Sequence, residues 1–146
     1  MVEISTEKNR LNIPLIYKYL SEESYWGKGI PLSTVETAIN NSMCFGVYLN
    51  DEQIGFARVI TDMATFSYLA DVFILNNFKG LGYSKQLVKT ILNHPELQGL
   101  RRWMLGTVDA HTLYEKFGFT ALSKPERMME IVRSNPYQQS NSESGT

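Results

Sequence analysis

Apolar residues recur at Ile13, Ile16, Tyr17 and Leu20 and again at Leu87, Val88, Ile91 and Leu92, the three- and four-residue spacing of one helical face. The first set predicts a helix over residues 12–20, capped by Asn12, with Pro14 in a first turn where its missing N–H costs little. The second predicts a helix that leaves the glycine-rich bend NNFKGLGYS and ends at Asn93-His94-Pro95. Ser33 followed by Glu36 reads as a capping box opening a helix to about Ser42. Strand patterns occupy residues 2–5, 43–49, 53–61 and 66–75, the second and third joined as a hairpin by Asn50-Asp51-Glu52. Val72-Phe73-Ile74-Leu75 is apolar on both faces, as in a central buried strand. Residues 102–105, 119–122 and 128–132 read as further strands and 109–117 as a short helix. The order β-α-α-β-β-β-α-β-α-β-β implies a mixed sheet with helices packed on it, an α/β (α+β) domain. Residues 1–133 hold all of these elements, while 134–146, which include SNPYQQSNSESGT, are expected to form a disordered polar tail.

Composition narrows the function. The 146 residues suit one domain with one core, and 43% hydrophobic with 20% charged residues is ordinary for a soluble chain. A net charge of -1, with Arg101-Arg102 the sole adjacent basic pair, argues against a nucleic-acid partner. One cysteine and two histidines exclude an intrachain disulfide and leave no expected metal site. Cys44, inside Met43-Cys44-Phe45-Gly46-Val47, reads as a buried inert thiol rather than a nucleophile. No apolar run approaches the roughly 20 residues that span a bilayer, and Met-Val-Glu-Ile-Ser-Thr-Glu lacks signal-peptide character, so the expectation is a cytoplasmic protein without a membrane partner.

The bend Lys79-Gly80-Leu81-Gly82-Tyr83-Ser84 runs from an apolar strand into a helix, whose first turn leaves unpaired N–H groups and the positive end of the helix dipole. It is neither a phosphate loop nor a dinucleotide fingerprint, because Lys85 stands where each pattern requires its next glycine. Two readings stay open for the bend alone: an anion cradle, or glycines that give clearance to a tightly packed helix start.

A second segment, Asp109-Ala110-His111-Thr112-Leu113-Tyr114-Glu115-Lys116-Phe117-Gly118-Phe119, taken with the bend, resembles the GNAT superfamily of acetyl-coenzyme A dependent N-acetyltransferases. The family's Arg/Gln-x-x-Gly-x-Gly/Ala appears as Lys79-x-x-Gly82-x-Ser84, and its Ala-x-x-Leu-Tyr-x-x-x-Gly-Phe is matched by Ala110, Leu113, Tyr114, Gly118 and Phe119. Thr107 replaces the usual upstream asparagine. The likeness spans most of residues 11–132 and looks closest to a group of small, mostly bacterial members of undefined substrate.

The resemblance implies a mainly antiparallel central sheet with helices on both faces. It implies acetyl-coenzyme A as donor, its pantetheine arm along Val72-Phe73-Ile74 and its pyrophosphate on the amides of Gly80, Leu81, Gly82, Tyr83, Ser84 and Lys85, beside Lys79. Tyr114 matches the tyrosine that donates to the departing sulfur, and a phenol with an ordinary pKa near 10 is protonated at neutral pH. Asp71 is the candidate base, against a purely structural strand carboxylate. His111 lies three residues before Tyr114 on the same helical face and is a candidate for the acceptor site or for a cap. Tyr25, Trp26 and Asp62 are further acceptor-binding candidates, by ring faces or charge, against loop-pinning and turn-forming roles. The implied acceptor is a small amine or a peptide amino group. The competing readings are a non-catalytic coenzyme A sensor and an acyltransferase using a longer acyl donor, with monomer and homodimer both open.

Overall fold

The computed structural model describes residues 1–133 and Tyr137. Five strands form one sheet in chain order: β1 (Val2–Ser5), β2 (Met43–Leu49), β3 (Glu52–Thr61), β4 (Phe66–Ile74) and β5 (Arg102–Leu105). The first four pair antiparallel, and β5 joins β4 in parallel. The β2–β3 hairpin closes through Asn50 and Asp51, whose φ values of 51° and 66° are left-handed, the conformation that matches strand twist in two-residue turns. Asn and Asp tolerate it because their short side chains can bond locally.

The helices are α1 (Ile13–Lys18), continued by a π turn at Tyr19–Glu23, then α2 (Leu32–Asn40), α3 (Tyr83–Leu92) and α4 (His111–Glu115). Alternation along the strands divides the core between the two faces of the sheet. Phe45, Val47, Val59 and Leu69 pack with Leu87, Val88 and Ile91 of α3. Cys44, Phe56 and Phe73 pack with Ile16, Val35 and Ile39 of α1 and α2. The three α3 residues are fully buried, stabilising by roughly 1.5–3 kcal/mol each. No helix among the described residues is long and apolar enough to cross a membrane.

Asn12 caps α1 as expected, its Oδ1 accepting from the Leu15 N–H, with Pro14 in the first turn. The Ser33–Glu36 capping box does not form; α2 starts one residue earlier, after Pro31, whose fixed φ of -68° already presets the entry. Neither residues 119–122 nor 128–132 form a strand. Their composition favours extended backbone, but a strand also needs a ladder partner. Residues 119–122 meet Trp103 and Met104 of β5 across a cavity, and Met129 and Ile131 are 96% and 94% exposed. The expected tail, 134–146, lies outside the described residues apart from Tyr137, which packs against the α1–α2 core.

Cys44 is buried beneath the Ile39 carbonyl, and burial pushes its thiol up to about 11. The native protein is therefore expected to give no reaction with a disulfide thiol reagent until it unfolds. Titration with and without denaturant checks this, and a silent native thiol leaves such reagents free to report coenzyme A release.

Candidate active site

The β4–β5 ladder runs from Phe66↔Arg102 to Leu69↔Leu105 and stops there. Past that point β4 keeps its antiparallel partner, β3, through Phe56↔Phe73 and Gly55↔Ile74, after a bulge between Arg58 and Phe56. The β5-facing edge of residues 70–74 is thus left without a ladder partner among the described residues. A cavity of about 710 Å³ opens at the divergence, between α1–α2 on one side and the β5–α4 connection on the other.

Asp71 sits in the bulge with φ 53°, a left-handed conformation uncommon for a non-glycine residue and costing of order 1–3 kcal/mol. The bend turns its carboxylate toward the cavity. There Oδ2 accepts from Arg58 Nε at 2.8 Å, and Oδ1 accepts from Trp26 Nε1 at 2.7 Å. Arg58 also donates from Nη1 to Ser42 Oγ, and its Nη2 has no hydrogen bond among the described residues. This ion pair is largely shielded, its side chains 17% and 14% exposed.

Trp26 belongs to the loop between the π turn and α2, and the same loop is tied on the other side. The Tyr25 hydroxyl accepts from the Val108 N–H at 3.0 Å, just past β5. The loop is therefore a strap across the gap between diverging strands, with Tyr25 and Trp26 edge to face at 5.0 Å. Its rings remain 54% and 40% exposed.

Tyr114 projects from α4 into the cavity and is itself 8% exposed, with Phe119 edge to face at 5.9 Å. Its hydroxyl has no hydrogen-bond partner among the described residues. Burial, reinforced by Tyr25 and Asp109 nearby, pushes this phenol up to about 12. Thr107, at the family's asparagine position, accepts from the Ala110 N–H through Oγ1 and so helps start α4.

The bend lies beyond the other end of β4. Gly80 and Gly82 have φ of 80° and 86°, and a Cβ at either would meet nothing within 4 Å. Clearance for packing is therefore not what these glycines supply; the backbone conformation is. Gly82 caps α3, whose first intrahelical bond is Gln86 N–H to the Gly82 carbonyl. The N–H groups of Tyr83, Ser84 and Lys85 are left without helical acceptors. Lys79, Gly80, Leu81, Gly82 and Lys85 are exposed, and Tyr83 and Ser84 half-buried.

Of the residues singled out from sequence, Tyr25, Trp26, Asp71, Val72 and Tyr114 meet in the cavity. The Phe73 and Ile74 side chains are buried in the two cores, leaving only their backbone edge for a ligand. Asp62 lies apart. Its carboxylate takes N–H groups of Thr65, Ala64 and Phe66 and the Thr65 hydroxyl, which hold it well below the usual carboxylate range and lock the β3–β4 turn. His111 lines a smaller cavity of about 350 Å³ on the other side of Tyr114.

Sequence reasoning missed Arg58, Tyr68, Asp109 and Tyr137, which also line the main cavity. A signal existed for Arg58: a cation inside the apolar run Phe56-Ala57-Arg58-Val59-Ile60 demands a buried partner.

Known proteins resemble this chain in sequence and in fold. The sequence profile of the Acetyltransferase (GNAT) family matches residues 13–119. A candidate acetyltransferase of Gibberella zeae is 36% identical over 135 residues, covering 77% of this chain and 75% of that one. The crystal structure of a candidate GNAT-family acetyltransferase from Xanthomonas campestris pv. campestris superposes with a TM-score of 0.93 at 47% identity, over 94% of this chain and 97% of that one. A GNAT-family acetyltransferase from Elizabethkingia anophelis, solved with acetyl-CoA bound, shares the fold at 17% identity, with a TM-score of 0.63 over 92% of this chain and 89% of that one. Profile, curated relative and fold agree, and the chain belongs to the GNAT acetyltransferase family and is an acyltransferase.

Proposed function

We propose that this enzyme transfers an acetyl group from acetyl-coenzyme A to an amine by direct attack, with Tyr114 hydrogen-bonding the departing sulfur. The carrying observation is the Tyr114 hydroxyl, without a hydrogen-bond partner among the described residues, at the mouth of the β4–β5 divergence. The chain fits the coenzyme on its own features: an open backbone edge at residues 70–74 for an amide-bearing arm, and a glycine bend whose conformation leaves helix N–H groups clear for a pyrophosphate. Acetyl-coenzyme A, when bound, supplies an activated acetyl group on a thiol leaving group.

The role of Tyr114 follows from its pKa. A phenol near 12 is fully protonated at any physiological pH, so it is always a donor. An ordinary thiol titrates near 8.5, so complete transfer from that phenol to a thiolate runs uphill. Tyr114 therefore acts chiefly by a preorganised hydrogen bond to the charge developing on sulfur. Asp71 already accepts from Arg58 on one oxygen and from Trp26 on the other, which favours a role as an anchor for the strap and the acceptor end over a role as base. The attacking amine loses its proton to solvent in this reading.

The test is calorimetric titration with acetyl-coenzyme A, followed by thiol release across a panel of primary amines. Saturable binding with amine-dependent release is the expected result. Binding with no release on any amine would favour a coenzyme A sensor instead.

A further inference from the structure

We infer that the acceptor is a small amine bearing one positive charge and an apolar or aromatic body, held beneath the 25–27 strap; this rests on the amine-acetylating reading above. Three properties of the cavity carry it. First, the charged groups lining it are Arg58, Asp71 and Asp109, and the first two neutralise each other at 2.8 Å. Asp109, itself exposed, has no ion-pair partner among the described residues, and its one carboxylate suffices for one ammonium. A phosphorylated acceptor would bring two negative charges to a wall whose single cation is already paired.

Second, the wall on the α1–α2 side is mostly apolar and carries no charge, with Leu20, Ile30, Val35, Ala38 and Ile39 beside Thr34. A second ammonium on a polyamine would have to enter this end without a counter-charge, which is unfavourable. Hydrocarbon gains there instead, by about 0.8 kcal/mol per buried methylene. Third, the strap is fastened on both sides, Trp26 to Asp71 and Tyr25 to Val108, so it bridges the gap where an extended polypeptide would have to lie. Its exposed rings can cover an ammonium by cation–π attraction, a further preference for a cation on a compact body.

Trp26 supplies its own reporter once the other tryptophan is replaced. In a Trp103→Phe protein saturated with coenzyme A, quenching of Trp26 is measured with phenethylamine, spermidine, a hexosamine phosphate and an alanyl tripeptide. Phenethylamine is expected to saturate at concentrations about ten-fold below each of the others, the worth of roughly two buried methylenes. Asp109→Asn is expected to weaken phenethylamine several-fold while leaving its neutral N-acetyl derivative unaffected, which general damage to the cavity would not do. Tighter binding of the polyamine, phosphate or peptide overturns the inference, as does the absence of saturable phenethylamine binding. Neither outcome touches the acetyltransferase reading, which stands or falls on acetyl-coenzyme A binding and thiol release.

Discussion

Replacing Tyr114 by phenylalanine is expected to lower kcat by about 10² to 10³, the usual effect of removing one preorganised donor to a developing anion. The affinity for acetyl-coenzyme A is expected to stay within about two-fold, because the bend lies at the far end of β4 and the ring that packs on Phe119 is retained. The melting temperature separates this from a structural effect. A core tyrosine with a satisfied hydroxyl loses stability on conversion to phenylalanine. This hydroxyl faces the cavity and has no protein partner among the described residues, so its removal breaks no protein hydrogen bond. The variant should melt at nearly the same temperature as the parent. A slow enzyme that is not less stable identifies the hydroxyl as functional; unchanged kcat removes it from the mechanism. The pH profile adds an independent check. For an alkylamine acceptor with a pKa near 10.4, kcat/KM rises with pH as the ammonium gives up its proton. A phenol at its ordinary value near 10 would ionise across the same range and turn the profile down. With Tyr114 pushed up to about 12, the rise is expected to continue through pH 10 without that downturn.

Much of this candidate site is legible in the sequence, and the reasons differ by element. The strand-to-bend-to-helix sequence ending in Lys79-Gly80-Leu81-Gly82 carries its geometry locally, since glycine marks left-handed backbone wherever it occurs. The α3 stripe was readable because burial of Leu87, Val88 and Ile91 follows a helical period. Tyr114 was readable only through its family motif, as nothing in periodicity distinguishes it from a core tyrosine. Arg58 and Asp71 illustrate the limit. They are 13 residues apart and meet because a bulge shifts the β3–β4 register, and no local pattern encodes that shift. Met128–Val132 illustrates the opposite error. Its residues favour extended backbone, yet strand formation is a property of pairs, and no partner is present among the described residues. Asp62 left two readings open, an amine-attracting charge or a turn former, and its oxygens are taken by the turn.

Gly82→Glu should weaken acetyl-coenzyme A binding by about a hundred-fold or more without unfolding the protein. Two effects act on the fold, in opposite directions. A side chain at φ 86° is strained by roughly 1–2 kcal/mol. A carboxylate at the N-terminus of α3 recovers about 0.3–1 kcal/mol by facing the positive end of the helix dipole. With nothing within 4 Å of the new Cβ, no clash adds to the strain, so the net loss is small and α3 stays anchored by its buried face. The ligand meets something much larger. A unit charge about 4 Å from a phosphate interacts by about 4 kcal/mol at the effective dielectric of a protein surface, and here the sign is repulsive. Gly82→Ala separates the two contributions, since it carries the same backbone strain without charge or length. The alanine variant is expected to lose less than about ten-fold in affinity and to melt slightly below the glutamate variant, which keeps the dipole compensation. If glutamate and alanine weaken the coenzyme equally, backbone conformation alone is the requirement at this position. If neither does, the pyrophosphate is not held on the α3 amides, and the bend must be reassigned to the fold.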